Sequence, residues 1–327
     1  MANGAPYELR GKRVWVGGHS GLVGSALVRR LEGEGCDLLL ASHAELDLTR
    51  QQETENWMAQ NSPEVIILAA ARVGGIGANA RFPVEFLYEN TMIAMNVIHA
   101  AHAFGVDKLL MLGSSCIYPK FSQQPIRETS LLTGALEPTN EPYAIAKIAG
   151  LKLAEACNRQ YGRQFISAMP TNLYGPNDNF DPETSHVMPA MIRRFHEAKI
   201  ADAPSVVVWG TGRPRREFLH SDDLAEACVF LLKNYVGSEI VNVGSGQEIS
   251  VADLAWLVAK IVGYRGRIVF DPNRPDGTPR KLLDSNRLRG LGWSPRIGLE
   301  QGIADLYQTW VGSKEQAVQG HETAISR

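Results

Sequence analysis

The chain has few cysteines, almost no net charge and no long apolar run, and each shortage excludes a class of protein. Its four cysteines, Cys36, Cys116, Cys157 and Cys228, are far apart and form no CxxC motif. Neither a disulfide framework nor a zinc site is therefore expected, and we predict no metal ligands. Any cysteine with a role should act as a free thiol.

Positive and negative charges are nearly balanced, with 33 Lys and Arg residues, 35 Asp and Glu residues and a formal net charge of -2. A chain without an overall field does not attract nucleic acid or a membrane surface, so we expect neither partner. No apolar run reaches the roughly 18 residues that a bilayer span needs. The first residues, MANGAPYELRGKR, carry charges where a signal peptide is apolar. We therefore expect a cytoplasmic protein.

What the sequence does have is a regular alternation of short aliphatic runs and helix-length segments from Arg13 onward. Continuously apolar strands that alternate with helices are typical of a parallel sheet covered on both faces. The predicted fold is therefore α/β, a doubly wound parallel sheet of the Rossmann type. The predicted strands lie at 14–18, 37–41, 65–71, 108–115 and 165–171, and the helices at about 22–34, 51–60, 83–104, 142–161 and 187–199.

Beyond Pro204 the alternation becomes less regular, which predicts a second, smaller α/β substrate domain. We expect a dinucleotide-binding domain over residues 1–175, a mainly substrate-binding domain over 176–315, and a flexible tail over 316–327. Some segments of the second domain can return to the main sheet. Its predicted strands lie at 206–210, 239–246 and 267–270, and its helices begin near Asp222 and cover 250–262 and about 299–311.

A glycine-rich turn between the first predicted strand and the first predicted helix indicates a dinucleotide site. Glycines permit crowded backbone and close approach of a pyrophosphate, and the helix N-terminus supplies free N–H groups. The spacing is GxxGxxG, and by itself it also fits a tight turn with no ligand. The residues of this turn are Gly18, His19, Ser20, Gly21, Leu22, Val23 and Gly24.

The end of the second predicted strand bears on the choice of cofactor. Enzymes that prefer NAD usually place an acid there to bond the ribose hydroxyls. Here the stretch reads Ala41-Ser42-His43, which has no carboxylate to repel a 2′-phosphate, and Ser20 and His43 could donate to one. We therefore predict NADP(H). Asp47 follows slightly later, and it fits an adenine contact and a solvated turn equally well.

A YxxxK motif, Tyr143 to Lys147, follows about thirty residues after a serine that ends the fourth predicted strand. On a helix the spacing of four places Tyr143 and Lys147 on one face. An ammonium within about 5 Å favours the phenolate, so we expect Lys147 to lower the pKa of Tyr143. The hydroxyl of Ser114 can bond a substrate carbonyl oxygen beside the tyrosine. The motif alone also fits a packed aromatic ring and a surface lysine.

The order of glycine-rich turn, strand-ending serine and YxxxK motif resembles the extended short-chain dehydrogenase/reductase superfamily over essentially the whole chain. The resemblance implies hydride transfer between a nicotinamide cofactor and a carbonyl carbon. It also implies that these residues line the nicotinamide half of the cofactor: Leu112, Gly113, Ser114, Ser115, Tyr143, Lys147, Pro170, Thr171, Asn172, Leu173 and His186.

Several longer stretches carry a closer resemblance, to the family of GDP-L-fucose synthases, which act as GDP-4-keto-6-deoxy-mannose 3,5-epimerase/4-reductases. The resemblance implies inversion at C3 and C5 of the keto sugar, then NADPH-dependent reduction at C4. The stretches are ARVGGIGAN (71–79), GSSCIYPK (113–120), EPTNEPYAIAKIAG (137–150), MPTNLYGPNDNF (169–180), SHVMPAMIRRFHEA (185–198), VVVWGTGRPRREFLH (206–220) and PDGTPRKLLD (275–284).

Inversion beside a ketone needs a base on one face of the sugar and an acid on the other. By resemblance Cys116 is the base and His186 the acid, and both groups titrate close enough to neutral pH to exchange protons. Considered alone, Cys116 also fits a small buried apolar residue, and His186 fits a helix cap. The resemblance further implies substrate contacts from Asn172, Arg194, Trp209, Arg216, Asp276 and Lys281, because arginine suits a diphosphate and tryptophan can stack on guanine.

Three other functions compete with this interpretation, and the residues present disfavour two of them, the dehydratase and the non-catalytic sensor. A nucleotide-sugar dehydratase needs an acidic pair after Ser114, whereas this chain has Ser115 and Cys116. A UDP-hexose 4-epimerase needs only the serine, tyrosine, lysine and tightly held NAD. A non-catalytic dinucleotide sensor would have lost Tyr143 or Lys147. The predicted helices at 83–104 and 142–161 can form a homodimer interface, or their apolar faces can be buried within one subunit.

Overall fold

The computed structural model describes residues 6–182, 184–274 and 276–325, with the backbone alone for Ile76 and residues 315–325. Its twelve strands are β1 Arg13–Gly17, β2 Asp37–Leu39, β3 Val65–Leu68, β4 Lys108–Leu112, β5 Gln164–Pro170, β6 Asn172–Tyr174, β7 Ser205–Trp209, β8 Arg215–His220, β9 Val241–Val243, β10 Glu248–Ser250, β11 Arg267–Asp271 and β12 Arg280–Lys281. The helices within these residues are α1 Leu22–Leu31, α2 Gln51–Asn61, α3 Ile76–Arg81, α4 Pro83–Ala103, α5 Glu141–Tyr161, α6 Val187–Ile200, α7 Ser221–Asn234, α8 Val251–Val262, α9 Asn286–Gly290 and α10 Leu299–Ile325.

Six strands form the main sheet in the order β2-β1-β3-β4-β5-β9, and every neighbouring pair is parallel. This confirms the predicted doubly wound α/β fold. The order reverses between β1 and β3, so the crevice that binds ligands in such sheets lies beyond the carboxyl ends of these two strands.

Alternate side chains of each central strand enter the cores on the two faces of this sheet. Val14 and Val16 pack with α1 and α7 on one face. Trp15, between them, packs with α2, α4 and α5 on the other. Because both faces are covered, the strands are apolar throughout, and this is why their pattern in the sequence is continuous rather than alternating.

A smaller sheet is built around β8, which pairs with β6, β10 and β12, and β7 pairs separately with β11. Helices α6, α8 and α10 pack on these strands to form a core of their own. The segment β9, although it follows this part in sequence, joins the main sheet beside β5.

The prediction missed several elements that are too short to show a period. These are β6, β8, β10, β12, α3 and α9, of two to six residues each. Strand β2 ends at Leu39 rather than at residue 41. Helix α10 extends to Ile325, well past the predicted end near 311; the side chains of residues 315–327 lie outside the described residues, so the flexible tail over 316–327 stays a prediction. Among the described residues, no helix is both long and apolar enough to traverse a bilayer.

Candidate active site

The glycine-rich turn joins β1 to α1 at the switch point of the main sheet, and its three glycines have different reasons to be glycine. Gly18 has a φ of +83°, and a Cβ there would come within 2.6 Å of the backbone nitrogen of Ala70. A Cβ on Gly24 would collide with the carbonyl oxygen of Gly18. A Cβ on Gly21 would meet the protein only at 3.7 Å, at that same oxygen. The backbone of the turn therefore requires glycine at positions 18 and 24, whereas glycine at position 21 leaves open space next to the turn.

The space beside Gly21 suits a pyrophosphate. Gly21 is the N-cap residue of α1, and the first turn of the helix, Leu22-Val23-Gly24, carries no acid that would compete for its N–H groups. An anion placed there receives these N–H groups and the positive end of the helix dipole. The turn therefore fits a dinucleotide, with its backbone as the main donor.

The loop after β2 holds a carboxylate that the sequence analysis overlooked. Glu45 folds back so that its carboxylate accepts hydrogen bonds from the backbone N–H of Ser42 at 2.8 Å and from its hydroxyl at 2.7 Å. These bonds hold the pKa of Glu45 below its usual value. The hydroxyl of Ser42 is thereby occupied, while His43 and Ser20 are exposed. Of the polar groups predicted near a 2′-phosphate, His43 and Ser20 remain accessible.

Strand β4 ends at Leu112, and the chain then forms a short 3₁₀ turn, Ser115–Ile117. Ser114 caps this turn: its hydroxyl oxygen accepts a hydrogen bond from the Cys116 N–H at 3.2 Å. The same turn therefore carries the predicted carbonyl-binding hydroxyl and the predicted base at the carboxyl end of a central strand.

Helix α5 brings Tyr143 and Lys147 to this end of β4. The buried Lys147 ammonium donates to the carbonyl oxygen of Leu112 at 2.9 Å, and it lies 5.7 Å from the centre of the Tyr143 ring. Burial lowers the pKa of Lys147 to about 8. Burial, and then the neighbouring Cys116, raise the pKa of Tyr143.

The expectation that Lys147 lowers the pKa of Tyr143 is therefore wrong for the protein by itself. The ammonium is directed at the Leu112 carbonyl, and the cost of burying a phenolate exceeds its attraction. A phenol that keeps its proton is the form needed to protonate a developing alkoxide. The geometry consequently suits reduction of a carbonyl group.

The Cys116 sulfur contacts side chains from two distant parts of the chain. The Asn140 amide donates to it at 3.2 Å and the Lys281 ammonium at 3.5 Å. These three residues line a small polar pocket, whose other walls are Ser115, Tyr118, Pro119, Lys120, Ile126, Glu137 and Thr278. Sequence analysis overlooked Asn140 and assigned Lys281 to the nucleotide, although the EPTNEPY stretch that precedes Tyr143 already contained Asn140.

His186 is the N-cap residue of α6, and its pKa is lowered by the protein that surrounds it, although the residue is solvent-accessible. The loop before it packs on the glycines of the ARVGGIGAN stretch. The Gly75 N–H donates to the carbonyl oxygen of Thr184 at 3.2 Å, and a Cβ on Gly75 would lie 2.9 Å from the carbonyl oxygen of Ser185. The close contact explains a glycine at position 75: the backbone that leads into His186 occupies the space of its side chain.

The segment after β5, Pro170 to Leu173, is fixed to β8. The hydroxyl of Thr171 and the amide of Asn172 both donate to the backbone carbonyl of Glu217, at 3.1 and 2.8 Å. The buried Glu217 carboxylate in turn accepts from the N–H groups of Gly246 at 2.6 Å and Leu283 at 2.9 Å. Sequence analysis did not identify Glu217, which joins loops from three parts of the chain behind the site.

Four of the predicted nucleotide-sugar contacts lie together. Arg194 donates to the carbonyl oxygen of Val207 at 2.8 Å, on the strand that also carries Trp209, which is 58% exposed. Arg216 donates to the carbonyl oxygen of Asp276 at 3.2 Å. Both carboxylate oxygens of Asp276 bond Thr211, so this acid braces the loop. The other two predicted contacts have different partners: the Asn172 amide donates to the Glu217 carbonyl, and the Lys281 ammonium faces Cys116.

Comparison with known proteins agrees with this arrangement. Residues 14–244 match the NAD dependent epimerase/dehydratase family. The chain is 56% identical to a GDP-L-fucose synthase of Sinorhizobium fredii, over 94% of this chain and 98% of that protein. It is 58% identical to GDP-L-fucose synthase 1 of Arabidopsis thaliana, over 91% of this chain and 93% of that one.

A solved structure shows the same fold. The crystal structure of a GDP-L-fucose synthetase from Naegleria fowleri bound to NADP superimposes with a TM-score of 0.87, at 27% identity, over 95% of this chain and 98% of that chain. Similarity therefore extends over both the main sheet and the smaller sheet around β8.

Proposed function

Because the chain belongs to the NAD dependent epimerase/dehydratase family, and within it to the GDP-L-fucose synthases, we propose that it converts GDP-4-keto-6-deoxy-D-mannose to GDP-L-fucose with NADPH. One observation supports this most directly. Ser114, Cys116, Tyr143 and Lys147 converge at the carboxyl end of β4, so carbonyl-binding groups and a thiol share one site.

Epimerisation comes first in the proposed reaction. The Ser114 and Tyr143 hydroxyls hold the keto oxygen at C4 and stabilise the enolate that forms when a neighbouring carbon loses its proton. Cys116 accepts that proton, and His186 returns one from the opposite face of the sugar. The same pair acts at C3 and at C5, because both carbons flank the same ketone.

Reduction follows at C4. NADPH, when bound, would supply the hydride to C4. Tyr143 donates its proton to the C4 oxygen. The raised pKa of Tyr143 keeps it protonated for this step. The Lys147 ammonium, 5.7 Å from the ring centre, stabilises the negative charge left on the phenol. Lys147 also positions the backbone of Leu112 through its hydrogen bond.

The cofactor binds across the main sheet in this proposal. The backbone from Gly18 to Gly24 holds the pyrophosphate, and Ser20 and His43 reach the 2′-phosphate. Leu112 to Ser115, Pro170 to Leu173 and His186 line the nicotinamide half. NADP bound to the Naegleria fowleri relative supports the preference for the phosphorylated cofactor.

The GDP part binds to the smaller sheet. Arg194 and Arg216 meet the diphosphate and Trp209 stacks on guanine, with Asp276 bracing the loop beside them. Asn172 lies between the two sites. The division of labour follows the expected domains, with residues 1–175 binding cofactor and 176–315 mainly binding substrate.

We also propose that the protein is a cytoplasmic homodimer. All four cysteines are free thiols, as is typical of proteins in a reducing compartment. Val84 and Tyr88 on α4 and Ile145 on α5 are exposed apolar side chains, which a second copy would cover. Light scattering of the purified chain measures the mass, and Ile145→Glu should lower it if α5 lies in the interface.

One incubation tests the proposed reaction. The chain is given GDP-4-keto-6-deoxy-D-mannose and NADPH in heavy water, and the product is analysed by NMR. We expect GDP-L-fucose with solvent deuterium at both C3 and C5. Substrate kept in the same buffer without protein corrects for spontaneous exchange. A reduced product without deuterium at these carbons would show a plain 4-reductase, and cofactor retained through dialysis with no net reduction would indicate a 4-epimerase.

A further inference from the structure

The Cys116 sulfur is faced by two hydrogen-bond donors that the nucleotide-sugar contacts do not explain. From the Asn140 amide at 3.2 Å and the Lys281 ammonium at 3.5 Å, we propose that Asn140 and Lys281 are positioning residues that hold Cys116 as a thiolate. The inference rests on the proposed function in one respect, the identity of the substrate carbon that Cys116 deprotonates. The state of the sulfur itself can be measured without any substrate.

The contacts favour a sulfur that accepts over one that donates. Both side-chain groups bonded to Sγ are donors, and no described side chain offers an acceptor to an S–H proton. Turning its amide nitrogen to the sulfur leaves the Asn140 oxygen buried with no hydrogen-bond partner among the described residues. An unpaired buried oxygen is costly, and a strong acceptor for the N–H group offsets that cost. A thiolate is such an acceptor.

The charges around the pocket point the same way. Lys120 lies 2.9 Å from Glu137, so these two neutralise each other. Tyr143, on α5, is a neutral phenol. Lys281 has no carboxylate within ion-pair distance in the described part of the chain. A cation without a counter-ion beside a cysteine is the usual setting of a stabilised thiolate. The Cys116 thiolate supplies the missing negative charge.

The step that this arrangement serves is balanced in atoms and charge. The thiolate takes the proton from the carbon beside the ketone and becomes a thiol. The electron pair of that C–H bond moves into an enolate, whose oxygen is held by Ser114 and Tyr143. The His186 imidazolium then donates a proton on the other face, which restores the ketone with inverted configuration and leaves a neutral imidazole. Lys281 thereby acts on epimerisation, whereas Arg194 and Arg216 act on GDP binding.

The thiolate is tested by alkylation of the cofactor-free protein with iodoacetamide, a neutral reagent, over a range of pH. Mass spectrometry gives the rate at Cys116, with Cys36 in the same molecule as internal control. Cys36 has Glu34 and Asp37 nearby and no cation in its contacts. In Lys281→Met we expect the midpoint of the Cys116 profile to rise by about one pH unit, and Lys281→Arg to restore it largely. Asn140→Ala should raise it less.

A matched control removes two lining charges from the pocket without touching the sulfur or changing the net charge. Lys120→Met combined with Glu137→Gln removes both members of an ion pair in the same pocket, so it should leave the Cys116 midpoint within a few tenths of a unit of wild type. Equal midpoints in wild type, Lys281→Met and Asn140→Ala would overturn the proposal. Should Lys281→Met fail to fold, Lys281→Gln and Asn140→Ala carry the same comparison.

A second measurement separates this proposal from the proposed function. In Lys281→Met, deuterium incorporation at C3 and C5 should fall by about 10- to 100-fold, while the inhibition constant of GDP stays within about twofold of wild type. A large loss of GDP affinity with unchanged incorporation would place Lys281 on the nucleotide and overturn the inference. A shifted alkylation profile in a chain whose wild type never incorporates deuterium would leave the thiolate intact and refute the proposed reaction.

Discussion

Lys147 reaches from α5 to the carbonyl oxygen of Leu112, 2.9 Å away at the end of β4, and is buried there with a pKa of about 8. The hydrogen bond joins the helix of the YxxxK motif to the strand that precedes Ser114. The positive charge of Lys147 is present at neutral pH and lost in mildly alkaline solution. This loss should affect the activity and the stability in opposite directions.

The activity should fall where the stability rises. The kcat/KM for NADPH oxidation should decrease as pH rises through about 8, because the ammonium that stabilises the Tyr143 phenolate is lost. An unfolded lysine keeps its proton until near 10.5, so between these values the unfolded chain binds more protons and the free energy of unfolding increases with pH. Urea unfolding and initial rates at several pH values check both slopes.

In Lys147→Met the activity should be low at every pH, with no step near 8, and the contribution of this residue to the stability slope should vanish. A wild-type rate that stays flat from pH 7 to 9.5 would mean that the Lys147 proton has no part in the rate.

The glycine-rich turn offers a matched pair of substitutions. Gly21→Ala adds a methyl group that the protein tolerates, so the chain should fold with a near-normal melting temperature and bind NADPH at least about tenfold more weakly. Gly24→Ala sets the same methyl group against the Gly18 carbonyl oxygen and should destabilise the fold itself. Thermal melts and fluorescence titration with NADPH distinguish these effects. Unchanged NADPH affinity in Gly21→Ala would place the pyrophosphate elsewhere.

The contact between Gly75 and the loop that ends in His186 should matter for epimerisation. In Gly75→Ala the new methyl group meets the Ser185 carbonyl oxygen and displaces the loop by a fraction of an ångström or more. We expect deuterium incorporation to fall by about 10- to 100-fold, because small displacements of a proton donor are costly, while NADPH affinity changes little. Gly33→Ala, where the methyl group would meet nothing within 4 Å, is the control. Equal losses in both variants would refute the idea.

Asp178 should make the protein less stable as pH rises from about 4 to 7. Burial raises its pKa to about 7, and its Oδ2 atom has no hydrogen-bond partner among the described residues. In that interval the folded chain binds more protons than the unfolded chain, so unfolding becomes easier with increasing pH. Asp178→Asn should therefore melt higher than wild type at pH 8, with the difference shrinking toward pH 4. A variant that melts lower at pH 8 would indicate a stabilising carboxylate.

The main sheet could be predicted because its information is local. Val65–Leu68 and Lys108–Leu112 are buried throughout, and burial on both faces leaves a continuous apolar pattern in the sequence. The turn glycines and the YxxxK motif are likewise short-range patterns with a direct physical cause.

The features that the sequence did not predict depend on contacts between residues far apart in the chain. Lys281 follows Cys116 by 165 residues, and the strand that carries it has only two residues, so no periodicity indicates where it pairs. Glu217 follows a run of charged residues, a pattern that predicts an exposed position. It is nevertheless fully buried, because three loops cover it. The pKa of Tyr143 was predicted from its partner alone, while burial is a property of the whole fold.

The late position of β9 has a consequence for synthesis of the chain. Strand β5 ends at Pro170. The helix that covers its face, α7, begins roughly fifty residues later, and the strand that covers its outer edge, Val241–Val243, begins roughly seventy residues later. At the usual 5–20 residues per second, the ribosome leaves that edge unpaired for several seconds. An apolar strand with open backbone groups recruits other strands. The nascent chain therefore passes through an interval in which the exposed edge of β5 can pair with another chain. Chaperone binding or the local rate of translation during this interval would affect how much of the chain aggregates.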